Sequence, residues 1–422
     1  MSRGATPLAA ALLAALVLGA AAASAQEVVL QIMWFNPDDG IENDLRILRA
    51  FEARNPGIRV EHRYAAWDVY PDQVMTLAAV GQLPDVIWIR EDTPYDLATS
   101  GVLMNLEPFI ARDPDFDPRN FLPGVLESAR VNGVQYALHR DVWAPMLYYN
   151  VDHFESAGIA TPQSGWTYDD LLDIARRLTN PQANRFGMAN IQTNQYSIIL
   201  SFGGRFMNED QTEFAIDEPE ALQALEYIHS FPWVYHAQPQ PGELPDWFEP
   251  WWVRGDASML FWGPWAWSNY SQDVTFNWDI LPPPAGPAGI AAQVDGLMLG
   301  MSAKTQHPEE AWELIKFLAY SEEAQTMLVR LGMGSPTVRY PQTLQAFFES
   351  DVTPRSVHNY IEALNHARPG FPRLPLEVMQ VVSNALNSIV DPGTHPIVAL
   401  QQELPRAEAL LREARAQAAA AR

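Results

Sequence analysis

From Glu27 onward the chain alternates strand-like and helix-like segments, and this order constrains the fold more than any other feature. Val28 to Phe35 is a near-continuous apolar run, the pattern of a strand covered on both faces. Ile41, Leu45, Leu48 and Phe51 recur at helical spacing until Asn55-Pro56-Gly57 stops them. Ile58 to Tyr64 returns to a strand pattern. Tyr70 to Val80 reads as a helix ended by Gly81, and Val86-Ile87-Trp88-Ile89 follows Pro84-Asp85 as a third strand. A β-α-β-α-β order predicts a mostly parallel sheet in an α/β domain. Further helices are predicted where Thr167 and Asp170 form a capping box, where Pro219 and Pro308 open apolar-periodic runs, and over the Ala- and Arg-rich tail from Leu404.

The first 25 residues have a different use. One positive charge, Arg3, precedes an apolar run from Leu8 to Ala23 and then Ala23-Ser24-Ala25. That layout predicts a secretory signal peptide cleaved after Ala25, with a product in the bacterial periplasm. The run is too short and Ala-rich for a membrane span and no later one is longer, so direct membrane insertion is not expected. Without a single Cys, neither a disulfide nor a thioether lipid anchor can form. Residues 26–422 suffice for two domains.

A formal net charge of −24 repels phosphate backbones and anionic lipid heads, which argues against nucleic acid or a membrane surface as partner. Catalytic signatures are missing: there is no Gly-x-Ser-x-Gly elbow, phosphate-binding Gly loop or His-Glu-x-x-His. The nine His are scattered singly, and the oxygen-rich stretch 36–44 lacks the spacing of a calcium loop. No metal, no cofactor and no enzymatic activity are expected. Two stretches read as boundaries: Leu138 to Pro145, where charge and Pro interrupt a strand pattern, and the Pro-rich Leu281 to Gly289.

The stretch FWGPWAWSNY (261–270) concentrates five aromatics around one Gly-Pro step. Pro264 suits a first helical turn, which sets Trp265 and Trp267 roughly 200° apart around the axis. Both cannot face one core. One indole is therefore free to meet a ligand, and a flat indole suits the C–H face of a sugar ring.

Gly255-Asp256-Ala257-Ser258-Met259 followed by Gly263-Pro264-Trp265-Ala266-Trp267-Ser268-Asn269 resembles the family 1 extracellular solute-binding proteins, whose maltose-binding members stack this Trp on sugar. Asn55-Pro56-Gly57-Ile58-Arg59-Val60, Gly81-Gln82-Leu83-Pro84-Asp85-Val86, Tyr148-Tyr149-Asn150, Ala157-Gly158-Ile159, Gly165-Trp166-Thr167, Asp295-Gly296 and His307-Pro308-Glu309-Glu310-Ala311-Trp312 extend the resemblance in order along the chain.

The resemblance implies a type II-like periplasmic binding protein fold: two α/β lobes, a hinge and an interlobe ligand cleft. The first lobe would comprise residues 26–141 plus 295–335 and the second 142–294 plus 336–422, with crossings near Asp141, Val294 and Ser335. It implies import of a neutral sugar, a mono- to trisaccharide or glycoside, by a monomer that delivers it to the permease subunits of an ABC transporter. A binder of a polyamine or other small solute within the same family, or a secreted carbohydrate-active enzyme, is the alternative.

Carried over by position, the contacts implied are Trp34, Asn36, Asp38 and Asp39 after the first strand, Trp67 and Asp68 after the second, and Asp92 after the third. Trp143 stands in the first crossing where the maltodextrin binder has an acidic residue, a departure that argues against maltose itself; Asp141 can take the polar role. Tyr196, Trp262, Trp265 and Arg373 complete the set. The acid-flanked Trp247, Trp251 and Trp252 read instead as a lid packed on its own lobe.

Overall fold

The computed structural model describes residues 27–35, 41–91, 93–245, 247–350, 354–369, 372–388, 393 and 395–420. Strand β1 (Val28–Phe35) pairs in parallel with β2 (Ile58–Ala65) along its length and with β3 (Val86–Ile89) on its other side. The helix Ile41–Arg54 buries Ile47, Leu48 and Phe51, and Phe51 meets Phe317 of the helix Pro308–Tyr320 at 5.5 Å. A hairpin of β4 (Arg130–Val131) and β5 (Val134–Gln135) turns on Asn132 and Gly133, with φ of 48° and 78°, the conformation a tight hairpin turn requires. β6 (Ala137–His139) then leads toward the second lobe.

There β7 (Met146–Asn150) lies between β8 (Met259–Trp262) and β9 (Trp278–Leu281), antiparallel to both. β10 (Ala292–Val294) brings the chain back to β11 (Met298–Met301), and β12 (Ala367–Pro369) pairs in parallel with β10. The first sheet has the order β2-β1-β3-β11-β6. Four of its strands run one way, as in the mostly parallel sheet expected, and β11 alone opposes them: it re-enters from the edge at which β3 and β6 end, so it runs against both.

Side-chain alternation divides the second sheet between two cores. Tyr148 and Leu260 join an apolar cluster continuous with the first lobe, whereas Leu147, Tyr149, Met259 and Phe261 face a second one. The Thr167–Asp170 capping box is present, and Pro219 and Pro308 open their helices. The tail helix starts earlier than expected, at Pro396, and continues through Pro405 to Ala420. Its buried stripe of Leu400, Leu404, Ala407 and Leu411 already has helical spacing before Pro405, and packing overrides the local propensity.

The three stretches expected to cross between the lobes lie side by side. Val142 N–H donates to Ser335 O at 3.3 Å, and Trp143 and Asp295 exchange backbone bonds of 2.7 and 3.0 Å. In the Pro-rich stretch after Leu281, Ala285 bridges to Thr167.

Candidate ligand-binding site

β8 ends at Trp262, opposite Met146 and so next to the first crossing. Gly263 follows in extended conformation, its carbonyl accepting the buried Tyr148 hydroxyl at 2.7 Å. Pro264–Ala266 forms a single tight turn and Trp267–Asp273 continues as helix. Trp267 is 4 % exposed and Trp265 is 49 % exposed, the division that the angular offset between them requires.

The half-exposed Trp265 is held on two sides. Its ring lies 5.6 Å from Trp143 at 87° and 5.2 Å from Trp262 at 74°, the edge-to-face geometry aromatic quadrupoles favour. Trp262 in turn meets Trp247 at 5.8 Å and Phe248 at 4.9 Å. A continuous aromatic wall thus runs from the crossing segment outward. In the first lobe Trp67, 42 % exposed, packs edge-on against Phe35 at 4.2 Å. The Arg90 guanidinium sits over its ring at 4.3 Å. Asp68 beside it is exposed.

Four expected contacts are enclosed by protein partners in this structure. Trp34 is 1 % exposed and packs among His62, Tyr64 and Trp88, because β1 is covered on both faces. Tyr196 is 3 % exposed and stacks on Phe206 at 4.3 Å. Asp141 is buried in the crossing, where its carboxylate accepts from Arg140 at 3.1 Å and from Leu297 N–H at 3.4 Å. Burial raises its pKa, against the opposing pull of Arg140.

Arg373 also bonds protein and not solvent: it donates to Ser128 O (2.7 Å), Glu91 O (2.6 Å) and Asp295 Oδ1 (2.7 Å). It ties the segment after β12 to the first lobe and to the return crossing. Asn36, Asp38, Asp39 and Asp92 lie outside the described residues.

Sequence reasoning missed two features. Trp247 is no packed lid, being 50 % exposed, although Trp252 beside it is fully buried; a run of Trp by itself does not say which ring is turned outward. Arg90 was also overlooked, although its place one residue beyond β3 set it at the strand-end edge.

A cavity of about 700 Å³ lies apart from the aromatic wall, lined by Glu127, Arg130, Arg205, Met207, Arg373 and Arg415 among others. Its arginines are committed to Glu107, Glu218, Asp295 and the carbonyls of Gln211 and Thr212. The wall is therefore the better candidate. Among the described residues no cluster of His, Asp and Glu could hold a metal ion, and no helix is long and apolar enough to cross a membrane.

Comparison with known proteins agrees with this architecture. The profile of the bacterial extracellular solute-binding proteins matches residues 41–326, and the chain belongs to that family. A putative binding protein of Brucella abortus is 24 % identical over 416 residues, covering 93 % of this chain and 95 % of the relative. A putative ABC transporter periplasmic-binding protein of Escherichia coli is 23 % identical, covering 73 % and 72 %.

Among solved structures, an ABC substrate-binding protein from Listeria monocytogenes in complex with cycloalternan superposes with a TM-score of 0.80 at 23 % identity, over 91 % of this chain and 99 % of that one. The sugar-binding protein MalE from Xanthomonas citri gives 0.78 at 20 %, over 92 % and 98 %. The fold is thus that of the periplasmic binding proteins, two α/β lobes about a hinge.

Proposed function

We propose that this chain is the periplasmic substrate-binding protein of an ABC transporter, capturing a neutral sugar between its lobes and delivering it to a membrane permease. The observation that carries the reading is Trp265: a half-exposed indole, braced by Trp143 of the crossing and by Trp262. A pyranose stacked there would bury its C–H face while its hydroxyls reach polar groups of the other lobe. The neighbouring crossing segments at Val142, Val294-Asp295 and Ser335, bridged antiparallel, would form the hinge, with lobe boundaries as the sequence places them. Closure without ligand must be only mildly unfavourable, so that sugar contacts shift the population. The sugar-bound relatives and the transporter names among them support this reading. The protein would act as a monomer, without cofactor and without altering its ligand.

Arg90 favours a neutral ligand over a polyamine, since the first lobe's exposed indole already carries a cation on its ring. The test is a thermal-shift panel of neutral sugars and polyamines on residues 26–422, run beside an assay for sugar turnover. A bound sugar at 100 times its dissociation constant adds about 2.7 kcal/mol of stability, and Trp265→Ala removes most of that gain while the ligand-free protein stays folded. A shift with spermidine alone, or sugar consumed, overturns the proposal.

A further inference from the structure

The aromatic wall continues past the place where one sugar ring would sit. Trp247 and Trp265 both pack on Trp262, at 5.8 and 5.2 Å, each nearly perpendicular to it, at 78° and 74°. These two rings are half exposed, 50 % and 49 %. One pyranose on Trp265 would leave the Trp247 face in water, and large apolar surface left open in this way marks a binding surface.

Trp247 is also held in place. It stands at the N-cap of the helix Phe248–Arg254, and its ring packs at 4.5 Å on Phe248. The Trp251 indole N–H donates to Pro245 O at 2.6 Å, closing the loop on itself. Glu249 accepts the Tyr270 hydroxyl at 3.1 Å, fastening the helix to its lobe. Gly255, at φ 79°, ends the helix and turns the chain toward β8. A fixed and outward-facing ring loses little entropy when it binds.

We propose that Trp247 is a second stacking platform, specific for the second pyranose ring of an oligosaccharide whose first ring rests on Trp265. The ligand is thereby a neutral di- or trisaccharide and not a monosaccharide. This rests on the sugar-binding reading above. Both platforms abut a common ring, Trp262, which keeps them within reach of one oligosaccharide.

The experiment is isothermal titration of residues 26–422 with glucose, galactose and mannose and with the di- and trisaccharides built from them. Wild type, Trp247→Ala, Trp247→Phe and Trp265→Ala are compared. Di- or trisaccharides bind wild type more tightly than any monosaccharide. Trp247→Ala weakens them by roughly tenfold, the scale of one lost aromatic stacking contact, and by clearly more than it weakens any monosaccharide. Trp247→Phe restores part of the loss, and Trp265→Ala weakens every sugar. Equal losses for mono- and oligosaccharides in Trp247→Ala, or a wild type that prefers a monosaccharide, overturn the second platform while sugar binding stands. A wild type that binds no sugar overturns the function beneath it.

Discussion

A Cβ on Gly263 would lie 1.9 Å from the Trp265 ring, so this glycine is required by a side chain and not by its backbone, whose φ of −93° any residue adopts. The half-exposed indole can swing away at little cost to the fold. Gly263→Ala is therefore expected to leave the melting temperature of the ligand-free protein nearly unchanged and to weaken sugar binding by roughly tenfold. Titration calorimetry beside a thermal melt checks both halves, and a variant with wild-type affinity would show that the indole's resting place is irrelevant.

His139 poses the opposite case, a titratable group with no access to ligand. Burial first, and the nearby Arg373 charge second, hold its pKa down near 3 against an ordinary 6.5, and it shares a 2.8 Å hydrogen bond with Ser128. The unfolded chain takes up this proton and the folded one does not. Its contribution to stability is complete above pH 6.5 and is lost as pH falls toward 3, with a slope of up to about 1.4 kcal/mol per pH unit. Urea unfolding at pH 7, 5 and 4 should show a shallower acid loss in His139→Gln than in wild type; parallel curves would mean that the imidazole is protonated in the native state.

Among elements, short-range pattern was legible and long-range pairing was not. Val28–Phe35, Ile41–Arg54 and Ile58–Ala65 follow from periodicity because each is punctuated by Gly, Pro or Asn and set by its neighbours in sequence. The same rules could not show that β11 returns antiparallel, since its direction depends on an excursion through the other lobe. Site residues divide likewise. The Trp265–Trp267 division follows from helix angle alone, whereas Trp34 and Tyr196 sit beside loops in sequence yet are covered by residues distant along the chain. Arg373 looked like a ligand contact because sequence records its charge and not its three protein acceptors. Its side chain is 6 % exposed and that of Asp295 is 1 % exposed. Arg373→Met takes the guanidinium away from the buried Asp295 carboxylate, and a loss of about 3–5 kcal/mol is expected in chemical denaturation. A loss below 1 kcal/mol would mean that this tie between segment and crossing is dispensable.

For the molecule as a whole, charge separates the candidate ligands without any knowledge of the contacts. A chain with a formal net charge of −24 surrounds itself with a negative potential that concentrates cations and leaves neutral solutes unaffected. A polyamine would gain from that field, and its affinity would fall steeply as salt shortens the Debye length from about 30 Å at 0.01 M to about 8 Å at 0.15 M. A stacked, hydroxyl-bonded sugar carries no charge to screen. Its dissociation constant should stay within a factor of two over that range, while closure of the lobes around it appears as a smaller radius of gyration in small-angle scattering at both salt concentrations. A ligand whose affinity drops tenfold or more with salt would instead be held by charge, and the open faces of Trp247 and Trp265 would then have to be read as seats for a cation.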